Sequence, residues 1–203
     1  MLSWESEANH RRQKHNRPAG APPPTKLGEQ CTADHVYSAN EISQGFEGEK
    51  YAFFFYRATS WRTFVPTCEK DHVSALQGLL KHGGPDAGIC KFHSDNAHEL
   101  RKAATHMSWS LDTSVPYVSE SNGVIERQNG IVFDGLRTLL DNAGLAPQFW
   151  PLAGECFCDA TNIGAKDPEV EHGLDRNCPY FRRFNSVREW KKGTFLCICG
   201  LYT

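Results

Sequence analysis

From residue 30 onward the apolar and polar positions fall into short, well-separated runs. EQCTADHVY (29–37) reads as a strand that carries Asp34 in its interior, and YAFFFYR (51–57) is a strongly apolar aromatic run. SWRTFVPT (60–67) alternates apolar and polar positions, and the short RATS connection joins it to the preceding strand as a hairpin. EKDHVSALQGLLKHGG then has helical periodicity and closes on Gly83-Gly84, a glycine stop at a helix C-terminus. AGICKFHS is a fourth strand that ends at Ser94-Asp95-Asn96. HELRKAATHM is a short helix and WSLDTSV a fifth strand. A long helix is predicted from near Asn122 to Gly144, and PQFWPLAGECFCDATNI supplies another, with Pro147 near its start. Strands first, then strand–helix alternation, predict an α/β or α+β sheet with helices packed on it.

Composition divides the chain. Residues 1–29 form a basic, proline-rich arm (HRRQKHNR, then PAGAPPPTK) that favours extended geometry over helix. Residues 30–165 carry the regular elements, and 166–203 read as an irregular extension, polar at first and then strongly basic (RRFNSVREWKK). The 203 residues are 39% hydrophobic and 23% charged, the composition of a globular domain, with no internal repeat. Net charge is −2, so a nucleic-acid partner must be met by local basic patches or bound metal and not by global charge. No apolar run has the length of a membrane span and no signal peptide is visible at MLSWESEANHRR, which predicts a nuclear or cytoplasmic protein, neither secreted nor membrane-bound. The eight cysteines include two C-x-C pairs and no C-x-x-C pair, a pattern that fits reduced, buried thiols better than a zinc site or disulfides. His10 and His15, followed within twenty residues only by Cys31, make a poor zinc motif.

Three carboxylates change the picture. Acids are depleted in strands, so Asp34 is informative where it stands. Asp95 lies at the C-terminal end of the fourth strand, where open α/β sheets place ligand-binding groups. If the first and fourth strands are neighbours, the two aspartates face each other across a narrow gap. On a helical wheel the apolar set Val124, Ile125, Ile131, Val132, Leu136, Leu139, Leu140 and Ala143 forms a broad arc, and Glu126 falls at its flank, where it can reach a cleft at the sheet edge. A glutamate in a first helical turn also simply complements the helix dipole. Three converging carboxylates, however, raise one another's pKa unless a cation neutralises them. Mg²⁺ prefers such oxygen ligands, and two such ions about 3.5–4 Å apart serve phosphodiester chemistry.

The segments TADH, FHSDNAHEL and PYVSESNGVIERQNG, followed by FWPLAGE and ATN, resemble the integrase catalytic core of retroelements, in particular the copia-type retrotransposon polyprotein, over roughly residues 30–165. The resemblance implies a ribonuclease H-like fold, a five-stranded mixed sheet flanked by helices. It implies that Asp34, Asp95 and Glu126 are the catalytic, metal-binding triad for Mg²⁺ or Mn²⁺, as two ions. Asn122 and Arg127 would then contact nucleic acid, and the partners would be retroelement ends and target DNA, with self-association compatible. The chain departs from the family in several places. The Asp95–Glu126 interval is shorter, Ser119 stands where proline is frequent, Ala97-His98 replace glycines, and Gly130 stands where a basic residue is common. The upstream zinc-binding module and the downstream DNA-binding region are not seen, as in a fragment of a polyprotein. The expected function is DDE-type polynucleotidyl transfer for DNA integration. Competing readings are a retroelement remnant that binds nucleic acid or protein without catalysis, and a ribonuclease H-type nuclease. His35 and His93 flank the expected site as hydrogen-bonded structural histidines, and Trp61, Trp109 and Trp150 are expected as core or rim aromatics.

Overall fold

The computed structural model of the protein describes residues 30–37, 44–57, 60–84, 88–89, 91–95, 97–113, 123–164 and 178–186. Its elements are β1 (Gln30–Tyr37), β2 (Tyr51–Arg57), β3 (Arg62–Thr67), α1 (His72–Gly83), β4 (Lys91–Ser94), α2 (His98–His106), β5 (Leu111–Thr113), α3 (Gly123–Ala143), a 3-10 turn (Pro147–Phe149), α4 (Trp150–Ile163) and α5 (Pro179–Phe184). The strands form one mixed sheet in the order β3-β2-β1-β4-β5. The pairs β3–β2 and β2–β1 are antiparallel, whereas β4 runs parallel to both β1 and β5.

The aromatic run of β2 is explained by burial on both faces, the condition under which a strand reads as continuously apolar. Phe53 and Phe55 pack with Ala33, Phe92 and the α1–α2 residues Ala75, Leu79, Leu100 and Ala103. Ala52 and Phe54 point the other way, into a second cluster with Phe64, α3 (Ile125, Val132, Leu136, Leu140) and α4 (Trp150, Ala153, Cys158). Each fully buried phenylalanine contributes on the order of 1.5–3 kcal/mol of transfer free energy. Helices thus cover both faces of the sheet. Helix α1 starts on Asp71, whose side chain accepts from the Ser74 amide at 2.8 Å, and ends at Gly84 with φ 87°, a conformation that favours glycine.

The apolar arc predicted for the long helix is wider than the stripe it buries. Ile125, Val132, Leu136 and Leu140 are buried, while Val124 and Ile131 are 51% and 40% exposed. One flat sheet face contacts only a narrow stripe of a straight helix, so apolar residues at the arc's edge stay outside it.

Two further expectations are corrected. The extension predicted to be irregular contains α5, whose start is capped by Cys178 Sγ accepting from the Phe181 amide. This helix sets Tyr180, Arg183 and Phe184 around Trp61, with the Arg183 guanidinium 4.4 Å from the indole centroid. Among the described cysteines, Cys31, Cys68, Cys158 and Cys178 are reduced thiols, but Cys156 is disulfide-bonded, against the expectation of reduced thiols. Trp109 and Trp150 are core residues as expected. No helix among the described residues is long and apolar enough to cross a membrane.

Candidate metal centre

The parallel register of β1 and β4 builds the centre. Thr32 is paired with His93 and Ala33 with Ser94, so the next residue along each strand is an aspartate: Asp34 in β1 and Asp95 just past the end of β4. Sixty residues apart in sequence, they stand side by side at one level of the sheet. Asp95 is held by its own turn. Its Oδ1 accepts from the Ala97 amide at 3.1 Å, at the entry to α2.

Strand alternation decides what else each residue meets. Asp34 points to the α3 face, where its Oδ2 accepts from Asn129 Nδ2 at 2.8 Å, and its Oδ1 accepts from the backbone amide of His35 at 2.8 Å. His35 points to the opposite face, toward α1 and α2. Its Nδ1 lies 3.8 Å from Asp95 Oδ2, too far for a hydrogen bond, and this buried nitrogen has no hydrogen-bond partner. The expectation of a hydrogen-bonded structural histidine is therefore not met at this atom. Near it, Lys70 Nζ, in the turn before α1, pairs with Glu99 Oε1 of α2 at 3.0 Å.

The electrostatics follow. Burial first, and then the neighbouring charge of Asp95, push the Asp34 carboxyl up to about 6 from an ordinary 3.8. The bonds from the His35 amide and Asn129 pull the other way without compensating, and the charge of Glu126 adds a further increment upward. His35 is held below its ordinary range by burial and by Lys70, against the opposing pull of Asp95 and Glu99.

The residues singled out from the sequence are placed as follows. Asp34 and Asp95 are brought together. Glu126 sits in the first turn of α3 with its side chain exposed, near enough to act on Asp34 through its charge but outside the tight group. Arg127, next to it, is also exposed, and Asn122 lies outside the described residues. Among the described residues the group that offers three ligand atoms within 4.8 Å of one another is Asp34, His35 and Asp95. Sequence reasoning missed Asn129, although its spacing of three from Glu126 puts both on one helical face. The start of α3 is fixed twice over, since Gln128 Oε1 accepts from Arg62 Nε at 3.0 Å and Arg62 Nη2 at 2.8 Å, tying the helix to β3 while Asn129 ties it to β1.

A divalent cation fits this donor set. Two neighbouring carboxylates, one raised by burial and then by the other's charge, gain from a shared positive charge, and the partnerless His35 nitrogen faces the same space.

No protein-family model matches the chain and no curated protein matches it. Among solved structures, a chain in the cryo-EM structure of the simian T-cell lymphotropic virus intasome in complex with PP2A regulatory subunit B56 gamma is similar, with a TM-score of 0.61 and 16% identity over 89% of this chain. This chain spans 65% of that chain's length, less than two thirds of it. At that identity the likeness is one of fold, a mixed α/β sheet flanked by helices.

Proposed function

We propose that the protein is an integrase-like, ribonuclease H-like polynucleotidyl transferase domain of the copia-type retroelement class. Its substrate would be DNA, and its reaction metal-dependent cleavage of a phosphodiester followed by strand transfer. The observation that carries this reading is the in-register approach of Asp34 and Asp95 on adjacent parallel strands, with the Asp34 carboxyl raised by burial first and then by the charge of Asp95. The intasome-like fold is consistent with it.

In this reading Asp34 and Asp95 hold Mg²⁺ or Mn²⁺ between them, and Glu126 closes over them from the first turn of α3. When bound, such ions lower the pKa of an attacking water and neutralise charge on the leaving oxygen. The chain's own residues supply position. Asn129 fixes the Asp34 carboxylate against α3, and the Arg62–Gln128 bonds hold the helix that presents Glu126. Arg127, exposed beside Glu126, and Asn122, which precedes α3 in sequence, would meet the DNA backbone. Water attacks the phosphorus and frees a 3′-hydroxyl, and that hydroxyl then attacks target DNA in line.

The exposure of Glu126, outside the tight group, favours a second reading: a retroelement remnant that binds nucleic acid without cutting it. A nicking assay with Mg²⁺ or Mn²⁺ on DNA and on an RNA–DNA hybrid, beside filter binding, separates the two. Nicking of DNA by the wild type, lost in Glu126→Gln with DNA binding retained, is the expected result. Binding without nicking would establish the remnant, and cleavage confined to the RNA of the hybrid would make the protein a nuclease of the ribonuclease H type.

A further inference from the structure

Asp34 and His35 are adjacent in β1 and so leave the strand on opposite faces, yet both reach Asp95. Asp95 stands just beyond the end of β4, where the sheet no longer separates the two faces, and its carboxylate lies beside both neighbours. One ligand atom from each of the three residues lies within 4.8 Å of the others. Three ligands around an ion with bonds of about 2.1 Å lie about 3.0–3.6 Å apart, so side-chain shifts of up to about an ångström suffice to close the set. The side chain of His35 is 16% exposed, and its Nδ1 is buried without a hydrogen-bond partner. A buried ring nitrogen left this way forfeits roughly 1–3 kcal/mol unless a ligand takes it up. The charged groups facing it from neighbouring elements, Lys70 and Glu99, are paired with each other.

We infer that His35 Nδ1 is a third protein ligand of the divalent cation shared by Asp34 and Asp95, which makes the centre selective for a first-row transition ion over Mg²⁺. The inference rests on the reading that the two aspartates share a cation, and it adds which ion. Mg²⁺ demands oxygen ligands in near-ideal octahedral geometry. Imidazole in the set suits Fe²⁺, Ni²⁺ or Zn²⁺ better than Mg²⁺, with Mn²⁺ at the weak end of that first-row series. The three residues come from one strand and the end of its neighbour, so the set needs no movement of α3. Glu126 is then free to join only when DNA is present.

The test uses the full chain and Mn²⁺, whose electron spin reports directly bound nitrogen. Wild-type protein loaded with Mn²⁺ should show a ¹⁴N coupling by pulsed electron paramagnetic resonance, replaced by a ¹⁵N pattern when histidine is ¹⁵N-labelled. His35→Gln should abolish the coupling and weaken Mn²⁺ binding at least tenfold, while Mg²⁺ affinity, read by competition, changes less than threefold. The labelled wild type keeps the test valid if His35→Gln folds poorly. Mn²⁺ binding that depends on Asp34 but lacks nitrogen coupling would overturn the His35 assignment alone. Mn²⁺ binding indifferent to Asp34→Asn, or no binding, would overturn the shared-cation reading and this inference with it. Nitrogen coupling in a protein that never nicks DNA would support the ligand set and reject polynucleotidyl transfer.

Discussion

Asn129 donates its side-chain amide to Asp34 across 2.8 Å, joining the second turn of α3 to the strand that carries the candidate centre. It is a single bond, but it acts on a carboxyl already raised by burial and by Asp95. Asn129→Ala should therefore raise the Asp34 pKa beyond about 6 and cost roughly 1 kcal/mol of stability, the scale of one hydrogen bond. A carboxyl-carbon NMR titration of metal-free protein reads the first effect and denaturant unfolding the second. An unchanged Asp34 titration would show that the bond has no electrostatic role.

Asp34 also gives the metal-free protein an unusual pH dependence. Its folded-state pKa, about 6, lies above the ordinary 3.8, so between these values the folded state binds more protons than the unfolded state. Stability accordingly falls as pH rises through this window, by on the order of 2–3 kcal/mol. Thermal melts in chelator at pH 4 and pH 7 should show the decline. Asp34→Asn should flatten it, because the amide that replaces the carboxyl does not titrate. Divalent cation added to the wild type above pH 6 should recover the loss. Parallel profiles for the wild type and Asp34→Asn would remove the physical basis for the centre.

His35 senses the Lys70–Glu99 pair with opposite signs. Lys70 lowers its pKa and Glu99 raises it. Lys70→Met should shift the His35 titration toward the ordinary histidine range and Glu99→Gln further below it, both read by histidine ring NMR on metal-free protein. Shifts of the same sign in the two variants would mean that the pair does not face the ring.

Two glycines of α3 should respond oppositely to alanine. Gly130 is exposed and a Cβ there meets nothing within 4 Å, so Gly130→Ala should stabilise by about 1 kcal/mol through helix propensity. At Gly135 a Cβ would run into the ring of Phe157, where α3 and α4 approach each other. Gly135→Ala should destabilise by roughly 1–3 kcal/mol, the usual cost of overpacking. Denaturant midpoints of the two variants on opposite sides of wild type are the expected outcome.

The sequence by itself determined the elements as far as α4, though not α5, because each of those is written in local periodicity. The FFF run, the alternation of SWRTFVPT, the glycine stop after α1 and Pro147 before α4 all act within one turn or one strand. It also placed Asp95 at a strand end, since the polar residues Ser94-Asp95-Asn96 close an apolar run. Whether Asp34 stands beside Asp95 was left to the pairing of β1 with β4, a contact between residues sixty apart that no local pattern encodes. The same holds for the glycines of α3, alike as helix weakeners in sequence and separated only by the ring of Phe157. It holds for Val124 and Ile131, apolar yet outside the buried stripe, since the width of that stripe is set by the sheet face beneath the helix. His35 is the sharpest instance. Strand alternation assigns it to the face away from Asp34, and it joins the centre only because β4 ends at Ser94, letting the Asp95 carboxylate lie at the sheet's end within reach of both faces.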